Sequence, residues 1–392
     1  MTFLPYLAPL ALALVALDLA LRPVARASGR LRLPEFAALS ALLAAFGSAV
    51  MLGLQGPSTA SLPGLAGQAF SVRIDIVSVA MLGTVSFVGW IVLRYARTAL
   101  DGERGQGGFM AVMSATLAAV LLLVSAGNLV QLVLAWAMVG VGLHRLLLFY
   151  PDRPRAQRAA RKKTLSGIAG TSALIVAAGL LIQAFGTADI GAIAAAVQAG
   201  QVPGTLWLAA LLLAVAAVFK SALIPTHGWL TEVMEAPTPV SALLHAGVVN
   251  AGGFLLIRFA DVLIAVPGVL ALLALIGGFS ALVGAAVALT QPSVKTALAW
   301  STCAQMGFMV LQIGLALFPL ALLHIVAHSL YKAHAFLASG GAVEQVAHPW
   351  DLFRPALADP LARRLLLIAL LNAAPVAVTS TLFLFFVESR LA

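Results

Sequence analysis

About twelve apolar runs, each close to the roughly 20 residues a helix needs to cross a bilayer, leave this chain little choice of fold. They fall at about 3–21, 34–54, 75–96, 109–126, 128–150, 164–185, 205–224, 239–259, 267–290, 294–314, 317–339 and 361–387. A chain with 62% apolar and only 9% charged residues has too few polar groups to coat a soluble globule, and its mean hydropathy is +1.04. The expected fold is an all-α polytopic membrane protein, one transmembrane domain over residues 1–392. No loop between the runs is long enough for a folded extramembrane domain. The single cysteine, Cys303, lies inside an apolar run, which excludes a disulfide framework and a cysteine metal cluster. The first run, Phe3 to Leu21, has no basic leader and no small-residue cleavage site, so it reads as a retained helix.

The formal net charge of +9 reflects topology, not affinity for nucleic acid. Eighteen of the 23 lysines and arginines lie at Arg145 or in the loops after helices one, three, five, nine and eleven. Arg73, Arg258 and Arg390 fall on the opposite side, and Lys220 and Lys332 lie within apolar runs. By the positive-inside rule the N-terminus is outside, and those five loops are cytoplasmic in a bacterial inner membrane. The most charged segment is Pro151 to Lys163, PDRPRAQRAARKK. It reads either as an anchor at anionic lipid headgroups or as a docking surface for a cytoplasmic partner.

The seventh run combines an ionisable group with a helix breaker. Lys220 precedes Pro225, which removes a backbone donor and clashes with the carbonyl one turn back, so a break is expected near Ile224. Trp229 to Glu235 then supplies a short second half of the broken helix. A break at bilayer depth requires protein or a water-filled cavity to satisfy the freed backbone groups. Lys220 beside it marks an ion or proton route, or else snorkels from a helix end.

The eleventh run contains HIVAHSLYKAHAF, in which His324, His328 and Lys332 are four apart and share one helical face. His334 lies on another face. Histidine titrates near neutrality and burial disfavours a charged lysine, so such a row suits a proton relay. The histidine spacing also suits a metal, although no carboxylate or cysteine in the segment completes a site. Interhelical hydrogen bonding is the third reading. His245 lies about two turns into the eighth run, after Pro237-Thr238-Pro239. Glu232 and Glu235 are loop charges or lead protons toward Lys220, and His144 sits near the cytoplasmic end of the fifth run. Asp18, Asp75, Asp189 and Asp261 fall at helix ends and receive no role. The sequence holds no phosphate-binding glycine loop and no convincing nucleophile arrangement.

Three stretches carry a resemblance: Lys220 to Gly247, Gln291 to Gly307 (QPSVKTALAWSTCAQMG), and Leu323 to Gly340 (LHIVAHSLYKAHAFLASG). With weaker similarity around Leu134 to Tyr150 and Gly186 to Ile190, they are similar to the proton-translocating, antiporter-like membrane subunits of respiratory complex I and the multisubunit sodium/proton antiporters. The resemblance covers most of 109–340 and implies inverted repeats of five helices, each with a discontinuous helix. On that reading 1–97 holds helices one to three, 98–260 the first repeat broken at Lys220, and 261–392 a shortened second repeat. It also implies a proton path through Lys220, His245, His324, His328, Lys332 and His334, with Glu232, Glu235 and His144 on the cytoplasmic side. Two departures stand out. In the family the tryptophan matching Trp136 is followed by a membrane glutamate that partners the broken-helix lysine, and here that position is Ala137. The second break would fall at Pro375, and the family's following lysine lies near the apolar Phe383.

Gly142 to Lys163 (GLHRLLLFYPDRPRAQRAARKK), together with AHSLYKAHAFLASG, resembles one branch more closely: the membrane subunits of Dab-type inorganic carbon uptake complexes. The resemblance implies a large cytoplasmic, carbonic-anhydrase-like partner that holds zinc and hydrates carbon dioxide one way, driven by ion flow through the membrane subunit. No cofactor is expected in this chain. The rival is a subunit of a complex I-like or antiporter assembly, and the third reading is a scaffold without transport.

Overall fold

The computed structural model describes residues 4–22, 29–61, 70–233 and 236–339. Helix α1 (Leu4–Leu21) and α2 (Leu33–Gln55) pack together, and the chain then forms a small antiparallel hairpin, β1 (Ser58–Ser61) with β2 (Ser71–Ile74). Hydropathy gave no sign of it, since four-residue strands are too short to read. Asp75 starts α3 (Ile76–Ala99) by accepting the Ser78 amide at 2.8 Å, as an N-cap should. Helix α4 (Gln106–Val124) packs on α1 and on α5 (Leu129–Leu147), whose N-cap Asn128 accepts the Gln131 amide at 2.8 Å.

Helix α6 (Pro154–Phe185) is longer than the expected 164–185. Hydropathy locates the apolar length of a helix, not its end, and the basic run after Arg153 continues the same helix with Pro154 at its start. Gly186, at φ 68°, ends it in the left-handed conformation that glycine adopts without a Cβ clash. A short helix, α7 (Ile190–Gln198), is capped by Asp189.

The seventh run is discontinuous as expected. Helix α8 (Leu206–Lys220) stops at Lys220, Ala222 takes a φ of +51°, and α9 (Gly228–Glu232) follows. The break is satisfied by protein. The Phe219 carbonyl accepts the Ser166 hydroxyl and the Trp229 indole N–H, each at 3.3 Å. The Val218 carbonyl accepts the Leu223 amide at 3.3 Å and the Thr226 hydroxyl at 3.1 Å, and the Ile224 amide donates to Ser280 Oγ at 3.1 Å. These bonds replace the intrahelical ladder that a lipid environment would leave open.

The eighth run is not one α-helix. It divides into α10 (Thr238–Leu243), a π turn at Leu244–Val248 closed by the Val249 amide on the Leu244 carbonyl at 3.0 Å, and α11 (Ala251–Arg258). Helix α12 (Ala260–Ile264) leads into α13 (Pro267–Leu289), which packs along α14 (Val294–Gly314), and α15 (Phe318–Ala338) lies against α14, α10 and the π turn.

Among the described residues, eight helices are long and apolar enough to cross a membrane: α1 to α6, α13 and α15. Helix α8 is apolar but shorter, and α14 has 21 residues but lies outside that set. The expected twelfth run, with Pro375 and Phe383, lies outside the described residues.

Candidate functional site

Two polar groupings lie inside the helices. The first surrounds the end of α8. Lys220 Nζ sits 4.6 Å from the centroid of the Trp136 ring on α5, a cation–π arrangement. A cavity of about 360 Å³ opens beside it, and Ala137, His144, Lys163, Thr164 and Trp229 share its wall. Lys163 reaches the Gly140 carbonyl, and His144 Nδ1 lies 2.8 Å from Thr164 Oγ1.

Lys163 corrects the sequence reading. Placed in the cytoplasmic basic run, it is a buried side chain on α6, only 6% exposed. Composition cannot distinguish it from its neighbours, because the helical phase within the run decides which residue turns inward. Lys162, one position earlier, faces outward and forms an ion pair with Glu232. Glu232 is therefore held at the outer end of this grouping, while Glu235 lies outside the described residues.

The second grouping joins the π turn, α14 and α15. His245 is fully buried, stacks on Phe336 at 4.2 Å between ring centroids, and has its Nδ1 3.0 Å from Thr302 Oγ1. His328, also buried, brings Nδ1 to 2.6 Å from Gln305 Oε1. Lys332 is fully buried and donates to the Ser301 hydroxyl and, at 3.2 Å, to the Leu298 carbonyl. His324 continues the row outward, its ring 6.0 Å from that of His328 and 5.8 Å from that of Phe308. His334 is exposed, on a different face of α15 from this row.

Leu298, Ser301, Thr302 and Gln305 were not singled out from sequence, though their spacing places them on one face of α14. Hydroxyls and an amide are what a buried histidine or ammonium needs in place of water. The π turn adds to this, since an i→i+5 closure interrupts the regular ladder where His245 projects. Among the described residues no three His, Cys, Asp or Glu side chains gather as a metal site.

A third set, at the other end of the helices, revises two expectations. Asp75, given no role, binds both Arg73 and Arg258. Arg258, expected at the outer end of the eighth run, is buried and also donates to Ser78 Oγ at 2.7 Å. Desolvation works against ionisation of Asp75, but Arg258, the Ser78 hydrogen bonds and Arg73 outweigh it and hold the carboxyl below the usual carboxylate range.

Residues 126–387 match the family described as "NADH:quinone oxidoreductase/Mrp antiporter, TM". The "Probable inorganic carbon transporter subunit DabB2" of Halothiobacillus neapolitanus is 46% identical over 288 residues, 73% of this chain and 52% of that one. The "Probable inorganic carbon transporter subunit DabB" of Hydrogenovibrio crunogenus is 42% identical over 275 residues, 70% of this chain and 53% of that one. NADH-quinone oxidoreductase subunit L of Escherichia coli is 34% identical over 288 residues, 73% of this chain and 47% of that one. The chain thus spans about half the length of the curated relatives it matches. Among solved structures, the Mrp complex from Dietzia sp. DQ12-45-1b superposes with a TM-score of 0.74 at 29% identity, covering 85% of this chain and 37% of that one. On the matched span and these likenesses, the chain is a multi-pass membrane protein that belongs to the antiporter-like NADH:quinone oxidoreductase/Mrp family.

Proposed function

We propose that this chain is the ion-conducting membrane subunit of an inorganic carbon uptake complex. The observation that carries ion conduction is the row of buried titratable groups His245, His328 and Lys332, each held by a neutral hydrogen-bonding side chain or backbone carbonyl. Buried ionisable groups inside a membrane are costly and mark ion routes by default, and an anchor would gain nothing from them. The inorganic carbon branch is supported by the names of the relatives at 46% and 42% identity.

In this reading Lys220 is the switchable site beside the helix break. His245, His328, Lys332 and His324 pass the proton onward, and His144 and Glu232 lie toward the cytoplasm. The exposed His334 stands aside from the row and is the least involved. Protons enter from outside, where the N-terminus lies, and cross the inner membrane. They then drive one-way hydration of carbon dioxide on a cytoplasmic partner that carries a zinc ion, docked near 151–163. The zinc and the covalent chemistry belong to that partner.

The fold likeness to the Mrp complex favours a second reading, a subunit of a multisubunit antiporter or of a complex I-like dehydrogenase. A mild-detergent pull-down with mass spectrometry and metal analysis separates the two. A large, zinc-containing soluble partner is the expected result, and a set of small hydrophobic antiporter or redox subunits would contradict the carbon reading.

A further inference from the structure

The cavity beside Lys220 holds two lysines and, among the described residues, no carboxylate. Lys163 and Lys220 both line it, as do Thr164, Ser166 and Thr171, each with a hydroxyl. Neither lysine forms an ion pair among the described residues. An ammonium carries three donors. One donor of Lys163 is taken by the Gly140 carbonyl, and Lys220 has the face of the Trp136 ring. Lys162 shows the contrast, because on the next position of the same helix it has the Glu232 carboxylate.

Small residues stand where α5 and α6 face the cavity, Ala137, Gly140 and Gly167, and a Cβ at Gly167 would meet nothing within 4 Å. Two ammonium groups sharing a cavity in a low-dielectric wall repel each other, and a counter-anion between them offsets both the repulsion and the desolvation. We propose that this cavity binds a small monovalent inorganic anion between Lys163 and Lys220, with the Thr171 hydroxyl as a further donor. The exposed apolar Val141 and Ile168 at the rim disfavour a dianion, which is far costlier to dehydrate. About 360 Å³ leaves room for such an anion with ordered water. The exposed Arg158 and Arg161, five and two positions before Lys163 on α6, raise the local anion concentration. The inference stands on this geometry and not on the transport reading.

The test uses the full-length protein in detergent with sodium gluconate as background salt. Chloride and ¹³C-bicarbonate are titrated separately, with binding read by calorimetry and bound bicarbonate by isotope-shifted infrared bands. Saturable binding of either anion is expected, and the two arms tell which is preferred. Lys163→Met and Lys220→Met should each weaken binding at least tenfold, and Lys295→Gln should leave it unchanged. Ala137→Glu places a carboxylate in the wall, so it should abolish binding while the protein keeps its thermal unfolding transition. That variant decides the matter should a lysine variant not fold. Absence of saturable binding by the wild-type protein, or wild-type affinity in Ala137→Glu, overturns the proposal. No ion flux enters the measurement, so failure of the transport reading would leave its outcome unchanged.

Discussion

Asp75 and Arg258, 183 positions apart in sequence, meet as a buried ion pair with side chains only 13% and 2% exposed. Removing one partner of such a pair strands the other charge, so Asp75→Asn should destabilise the protein by about 3–5 kcal/mol, measurable as a lower midpoint of thermal or denaturant unfolding in detergent. The Asp75 carboxyl is held below its ordinary value of 3.8, and a depressed carboxyl stabilises the fold above its unfolded pKa. The gap between wild type and Asp75→Asn should therefore be complete at neutral pH and shrink as the pH falls below about 4. A gap that grew on acidification would contradict this assignment. At the same scale, sequence revealed Lys220, His245, His328 and Lys332 because their residue types are out of place in apolar runs. Lys163 and Arg258 stayed hidden, since a basic residue near a helix end looks the same whether it faces water or protein. The hydrogen-bonding shell of Ser301, Thr302 and Gln305 was hidden too, because such residues are unremarkable until a charge is found beside them.

The antiparallel pair α13 and α14 shows what small residues do in a membrane fold. A Cβ at Gly277 would come within 2.7 Å of the Gly307 carbonyl, and one at Gly284 within 2.7 Å of the Ala304 amide nitrogen. The same holds in reverse, since a Cβ at Gly307 would lie 2.7 Å from the Gly277 carbonyl. These are backbone atoms and cannot swing aside, so the helices touch only because the glycines have no side chain. Gly277→Val or Gly307→Val should cost about 1–3 kcal/mol or more, while Gly268→Val, where a Cβ meets nothing within 4 Å, should be near neutral by the same unfolding measurement. Equal effects at 268 and 277 would refute the close-packing account. Helix existence was legible here from apolar length alone. The π turn at Leu244–Val248 and the extension of α6 to Pro154 were not, because hydropathy is blind to hydrogen-bond register and to helix outside the bilayer core.

For the molecule as a whole, the break at Lys220 and the row on α15 divide the labour that the proposed function requires. Lys220, at the end of α8, lies against Trp136 of α5, and His245, His328 and Lys332 lie among the π turn, α14 and α15, with α9 and α10 between Lys220 and His245 in the chain. The architecture followed from the sequence because lipid allows so few folds. The partner, the ion and the direction of flow depend on surfaces and energies that a single chain does not encode. The most direct measurement is uptake of labelled inorganic carbon by cells that carry this chain with its cognate partner. Lys220→Ala and His328→Ala are compared with wild type, each with and without a protonophore. The account predicts that each variant, and the protonophore alone, lowers uptake at least tenfold while the chain remains in the membrane with its partner bound. Wild-type uptake in both variants would contradict the claim that this chain conducts the driving ion.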